Sequence, residues 1–277
     1  MNGNDVVIIG APRSGTNLLR DVLTGLPGFV TWSCDEINPV WRHGNRDYPT
    51  DEFTVEMATP RITRYIRREF DRVRGPQAST VVEKTCANSL RVGFVSTVLP
   101  DSRILFIHRD GVDAAMSAVK RWHAPFDWRY TARKARYIPL SDVAHYAGRA
   151  ATGRLRKGPH ETWWGPRIDG WRELIGTRPL DEVAVCQWRR CVELTRRDLA
   201  TVSPDRQLSI SYERFVADPE PQLRRILTFL GRHEAFDAAV LRQVSAGSVR
   251  KGRAALAPDR LTRLEALAGN AREGLDR

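Results

Sequence analysis

Long apolar runs are missing from this chain of 277 residues: nothing in it approaches the roughly 20 consecutive apolar residues of a membrane span, so no stable membrane insertion is expected. The N-terminus lacks a basic region followed by a hydrophobic one. Its apolar run, Val6 to Ile9, is far too short for a secretory signal and predicts a buried strand. Cysteine is scarce. Cys34, Cys86, Cys186 and Cys191 form no CxxC pair, and no histidine stands at zinc-finger spacing from them, which argues against a metal site or a disulfide framework. Four reduced thiols suit a cytoplasmic protein. Internal repeats, low-complexity tracts and Pro/Ser-rich linkers are absent too, and one domain over residues 1–277 is expected.

What the chain has in excess is positive charge, a formal +11 with a pI near 10.1. Three anionic partners fit that balance: nucleic acid, an anionic surface, or a small, highly charged ligand. Short runs rich in β-branched residues, Val6–Ile9, Val81–Val82 with its flanks, Ile104–Ile107 and Leu208–Ile210, read as strands buried on both faces. Helical stripes lie between them. One comprises Leu18, Leu19, Val22, Leu23 and Leu26; another comprises Leu223, Ile226, Leu227 and Leu230, stopped by Gly231; a third runs from Asp181 to Ala200. The alternation predicts an α/β fold, a three-layer sandwich around a mostly parallel sheet. Residues 120–178, rich in Trp, Tyr and Arg without a clean period, read as an irregular or helical insertion covering the substrate.

The stretch GAPRSGTN, residues 10–17, joins the first strand to the first helix. Gly10, Ser14, Gly15 and Thr16 expose successive backbone N–H groups at a helix N-terminus, a ready site for a phosphate-like anion. Arg13 adds a planar, permanently charged fork of donors. The spacing of Gly10 and Gly15 is that of a P-loop, but residue 16 is Thr where that motif needs Lys, and residue 17 is Asn where it needs Ser or Thr for Mg²⁺. Farther on, Arg109 stands at the C-terminal edge of RILFIH, where open α/β sheets bind ligands, and Ser117 follows eight residues later on the next helix. Near the C-terminus, SVRKGRAAL places Arg250, Lys251 and Arg253 around Gly252, which allows close backbone approach.

Taken together, Pro12-Arg13-Ser14-Gly15-Thr16, the Arg109/Ser117 pair, Arg250-Lys251-Gly252 and YERFVADPEPQLRRILTFLG from Tyr212 resemble the sulfotransferases that use 3′-phosphoadenosine 5′-phosphosulfate, PAPS. The resemblance implies a P-loop-like fold and transfer of a sulfuryl group to a hydroxyl or amine of a small-molecule, carbohydrate or lipid acceptor. PAP would be released, and no metal is called for. It implies that Arg13 to Asn17 hold the 5′-phosphosulfate, and that Arg109, Ser117, Tyr212, Arg250, Lys251 and Gly252 serve the nucleotide and its 3′-phosphate. Where cytosolic members carry Lys-Thr-His, this chain has Lys84-Thr85-Cys86, so that histidine is absent; it also has Leu18 in place of the Trp that faces adenine. Glu83-Lys84-Thr85 is closer to the carbohydrate N-sulfotransferases and implies Glu83 as general base, with Arg13 and Lys84 on the leaving phosphate. His108, His123, His145 and His160 are the other candidate bases. The acceptor is expected against Asp35-Glu36, Trp41 to Tyr48, and Trp128, Trp163 and Trp164. Two other classes share part of these signals. A P-loop-like kinase or NTPase lacks its lysine here. A non-catalytic binder of nucleic acid or another polyanion has only the charge and the Arg/aromatic insertion to support it, and nucleic acid is not expected as a partner.

Overall fold

The computed structural model describes residues 5–75, 80–124, 136–144 and 163–275. Five strands form one sheet: β1 (Val6–Ile9), β2 (Phe29–Val30), β3 (Thr80–Lys84), β4 (Arg103–His108) and β5 (Gln207–Ser211), in the order β2-β3-β1-β4-β5. The expectation of a mostly parallel sheet holds and is exceeded, since every pairing is parallel. The four predicted strands are present, the first with the same bounds and the other three with one or two residues added at their ends. β2 carries only two residues and no β-branched run, which is why the pattern did not disclose it.

Alternation sorts the strand side chains between two cores. Val7, Ile9, Val81, Ile104 and Phe106 face one layer, with α3 (Pro60–Arg74), α5 (Gly111–Trp122), α7 (Leu180–Leu199) and α10 (Pro258–Ala268). Val6, Ile8, Val82, Leu105, Ile107 and Ile210 face the other, with α1 (Thr16–Thr24), α8 (Tyr212–Ala217) and α9 (Pro219–Leu230). Each fully buried Ile, Leu or Phe contributes about 1.5–3 kcal/mol, so both layers are firmly anchored. The helical stripes are met: Leu19, Val22 and Leu23 are buried on α1, and α9 ends at Gly231, whose φ of 67° takes the left-handed cap. Three shorter helices, α2 (Asn38–Trp41), α4 (Val92–Val98) and α6 (Trp171–Thr177), complete the set.

β1 lies between β3 and β4, so the chain leaves it toward one edge of the sheet and later crosses to the other. Ligands of such sheets sit at that reversal, outside the C-terminal strand ends. The turns after β1, β3, β4 and β5 all open there. The expected insertion begins later than predicted, because α5 continues through Trp122. Its described parts lie against residues 33–51. The Tyr137 hydroxyl is 2.7 Å from Ser33 Oγ, Asp142 meets His43 Nδ1 at 3.0 Å, and the Arg167 N–H donates to Asp51 Oδ2 at 2.8 Å. Trp128, His145 and His160 lie outside the described residues. Among the described residues no helix is long and apolar enough to cross a membrane.

Candidate active site

The turn between β1 and α1 wraps tightly. Arg13 (φ 67°) and Gly15 (φ 95°) are left-handed, and a Cβ on Gly15 would meet the Tyr212 ring at 2.4 Å. Only glycine fits there. No side chain caps α1, and its first amide with a backbone partner is Leu19, which donates to Gly15 O at 3.0 Å. The amides before it are left to point out of the helix end, where the helix dipole favours an anion.

A cavity of about 730 Å³ opens in front of this turn. One part of its wall comprises Arg13, Gly15, Thr16, Asn17 and Leu18 from the turn, Arg109 from the end of β4, Ser117 and Arg121 from α5, Tyr212, and Ser248. Arg13 Nε donates to Ser117 Oγ at 3.0 Å; Arg109 donates to Arg13 O at 3.1 Å and to Ser248 O at 2.7 Å, with its guanidinium 4.5 Å above the Tyr212 ring. Arg13 has no carboxylate partner among the described residues. Desolvation in the wall, and the charges of Arg109 and Arg121, lower its pKa. Ser14 Oγ, Asn17 Oδ1 and Arg109 Nε are buried without a hydrogen-bond partner. Such groups are uncommon in a folded protein, and two of the three residues, Asn17 and Arg109, line the cavity.

Asp113 organises the C-terminal loop. Its carboxylate accepts from the backbone N–H groups of Arg250 at 2.5 Å, Gly252 at 2.8 Å and Arg253 at 3.0 Å. A Cβ on Gly252 would lie 2.9 Å from Asp113 Oδ1, so the loop needs glycine to seat itself. The side chains of Arg250 and Lys251 are exposed, and neither lines the 730 Å³ cavity; Arg250 lines a second one of about 590 Å³ instead. The residue of this loop that does reach the main cavity is Ser248, which the sequence reading had not singled out.

The rest of the cavity wall comes from Asp35, Glu36, Asn38, Lys84, Cys86, Ala87 and Trp164 to Pro166. Lys84 Nζ donates to Glu36 Oε1 at 3.0 Å, and the Cys86 N–H donates to the same oxygen at 3.3 Å. Burial opposes the Lys84 charge, but the adjoining Glu36 outweighs it and raises the pKa above the ordinary lysine value. Lys84 is therefore a fixed cation at the cavity. Burial pushes the Cys86 thiol up to about 12, which leaves it neutral.

Glu83 is elsewhere. It is 0% exposed and absent from the cavity wall, since its neighbour Lys84 takes the cavity-facing place at the strand end. Its Oε1 accepts from Trp41 Nε1 at 3.1 Å and its Oε2 from Asn88 Nδ2 at 2.9 Å. Among the candidate histidines, His108 is buried behind the wall and His123 is exposed at the end of α5; neither lines the cavity. Of the aromatic residues expected near an acceptor, Trp164 lines the cavity, whereas Trp163 packs between Trp122 and Trp171 and Trp41 is buried in the core.

A family model described as the sulfotransferase family matches residues 5–159 and 162–236. The chain belongs to the sulfotransferase family. Solved structures agree on the fold. The sulfotransferase domain of the Synechococcus PCC 7002 olefin synthase superposes with a TM-score of 0.51 at 17% identity, over 94% of this chain and 92% of that one. The sulfotransferase domain from the curacin biosynthetic pathway gives 0.53 at 15% identity, over 98% and 91%. Mouse sulfotransferase SULT7A1, solved with PAP, gives 0.51 at 16% identity, over 99% and 86%. No curated protein sequence matches the chain. The enzyme is a transferase of sulfuryl groups, and the kinase and non-catalytic alternatives give way to that assignment.

Proposed function

We propose that this sulfotransferase takes its sulfuryl group from PAPS and passes it to a hydroxyl, or an amine, of a small-molecule, carbohydrate or lipid acceptor. The observation that carries this reading is the cavity itself: an uncapped helix end, Arg13 and Arg109 on one side, and the Lys84–Glu36 pair on the other. The orphaned Ser14, Asn17 and Arg109 atoms supply polar contacts that a phosphorylated nucleotide would complete. The mouse relative's complex with PAP supports the same donor. Arg13 to Asn17 hold the 5′-phosphosulfate. Arg109 and Ser117 take the 3′-phosphate, Tyr212 braces Arg109, and Gly252 lets the loop bearing Arg250 and Lys251 close against α5, with those two side chains in outer contacts.

For the chemistry we assign the base to Glu36 in place of Glu83, because Glu36 faces the cavity. In the transfer, the bond between sulfur and the phosphate oxygen breaks as the bond between sulfur and the acceptor atom forms. The acceptor's proton goes to the Glu36 carboxylate, and PAP leaves with the electron pair. Lys84 and Arg13 steady the charge that grows on the departing oxygen, electrostatic work suited to a desolvated site. Cys34, Cys86, Cys186 and Cys191 form no disulfide with one another, in keeping with a reducing compartment such as the cytoplasm.

Calorimetric titration of PAP, with AMP as control and no Mg²⁺, tests the donor. Micromolar or tighter PAP binding with much weaker AMP binding is expected. A folded protein that binds the two alike would remove PAPS from the account.

A further inference from the structure

We propose that Glu83 is a positioning residue, which holds the wall bearing Glu36 in register from beneath the cavity. The inference rests on Glu36 being the base. Three threads leave Glu83. The first runs along the chain to Thr85, two residues on, whose Oγ1 accepts from the backbone N–H of Ile37 at 3.1 Å. Ile37 is the residue after Glu36. The second is the Trp41 indole, at the end of α2. The third runs through Asn88, whose Oδ1 accepts from Arg91 Nε at 2.9 Å; Arg91 in turn donates to Asn38 Oδ1 at 2.6 Å. Asn38 itself lines the cavity beside Glu36. All three threads therefore end on residues 37, 38 and 41.

Chemistry explains why a carboxylate is needed at this point. Trp41 and Asn88 donate to it, one at each oxygen, and an ionised carboxyl group accepts at both. An amide there keeps one accepting oxygen and turns an NH₂ toward a donor, so at least one thread is lost. Because the carboxylate is fully buried, no water can replace what is lost. The strand adds to the coupling: Glu83 and Lys84 are consecutive, so any shift at Glu83 also moves the ammonium that pairs with Glu36. The nucleotide half of the cavity shares none of these threads, which confines the effect to the acceptor side.

The test uses the full chain with three variants, Glu83→Gln, Thr85→Val and Glu36→Gln. Thr85→Val is nearly isosteric and places no new polar group in the core, so it carries the test if Glu83→Gln does not fold. Hydrogen–deuterium exchange should quicken by ~10-fold across residues 33–41 in Glu83→Gln and Thr85→Val, and stay unchanged across 10–17. PAP affinity should remain within about twofold, while PAPS turnover, with water as the acceptor, falls by about 10–100-fold, the size of loss that a misplacement of ~1 Å produces. The two losses should be less than additive when combined, since both loosen the wall at residues 37–41. Unchanged exchange at 33–41 in a folded variant overturns the proposal, as does a PAP affinity that falls as far as turnover. Normal turnover in Glu36→Gln overturns the base assignment, and a severe loss in Glu83→Gln beside it would return the base to Glu83.

Discussion

The two halves of the cavity are built by different means. The nucleotide half is built from two local motifs, the turn at residues 10–17, which folds on itself, and Arg109 with Ser117, eight residues apart on one strand end and its helix; the fold then joins them, Arg13 meeting Ser117 across 104 positions. Its wall is rich in arginine, with Arg13, Arg109 and Arg121 beside the turn. The acceptor half is assembled from afar, with Lys84 reaching Glu36 across 48 positions and Glu83 reaching Trp41 across 42. Its parts are side chains whose meaning depends on what the fold brings opposite them. A local loop can be read as a motif, whereas a wall of distant partners cannot.

That contrast predicts separate consequences for changes on each side. The largest should follow Glu36→Gln, with turnover lowered by ~10²–10⁴-fold at nearly constant PAP affinity. A folded Glu36→Gln protein with near-normal steady-state turnover would break the comparison at its main joint. Gly15→Ala should come next. Its Cβ would strike Tyr212 at 2.4 Å in a left-handed backbone, so thermal stability should drop by an amount equivalent to about 1–3 kcal/mol and PAP binding with it. A melting curve and a PAP titration on one sample check both. Arg109→Ala should weaken PAP by about 10–100-fold, as expected for losing hydrogen bonds from a charged group, and should spare the rate at saturating PAPS.

Two smaller effects sharpen the picture. Burial first of all, partly offset by the neighbouring polar groups of Thr85 and Trp41, pushes Glu83 up from 4.5 to about 7. Across that window the folded chain holds the proton more tightly than the unfolded chain does, so this group's contribution to stability falls as pH rises. Melting temperatures from pH 4.5 to 7.5 should therefore show a decline in the wild type that Glu83→Gln lacks; parallel curves would deny it. Lys251→Ala should lower PAP affinity by no more than about threefold, as an exposed charge screened by salt, with the deficit vanishing at high ionic strength.

Much of this was legible before the fold. The strands at Val6 and Ile104 announced themselves because central parallel strands covered on both faces must be apolar throughout, whereas the edge strand at Leu208 alternates Leu and Ile with polar residues. The turn at residues 10–17 was legible because an anion site made of amides needs its glycine where the backbone turns left-handed. Arg109 and Ser117 followed from their eight-residue spacing, two helical turns that bring a strand end and a hydroxyl to the same opening. The acceptor side was less legible. Glu83 and Lys84 read from the sequence as base and leaving-group cation, but alternation at the strand end sends Lys84 to the cavity and buries Glu83, and the sequence does not say which. Glu36 was noted only as part of an acceptor surface, for nothing near it in the chain foretells that Lys84 will stand 3.0 Å away. Arg250 and Lys251 drew notice by their charge, yet it is Ser248 that reaches the main cavity, an ordinary residue placed by Asp113's grip on the loop behind it.

The central claim is that affinity resides in the nucleotide half and rate in the acceptor half. The most direct test measures PAP dissociation constants and PAPS turnover in parallel for Arg109→Ala and Glu36→Gln. The account predicts a crossed result: Arg109→Ala binds PAP poorly and turns over well at saturation, while Glu36→Gln binds PAP normally and turns over poorly. Two variants that lose affinity and rate in the same proportion would contradict it.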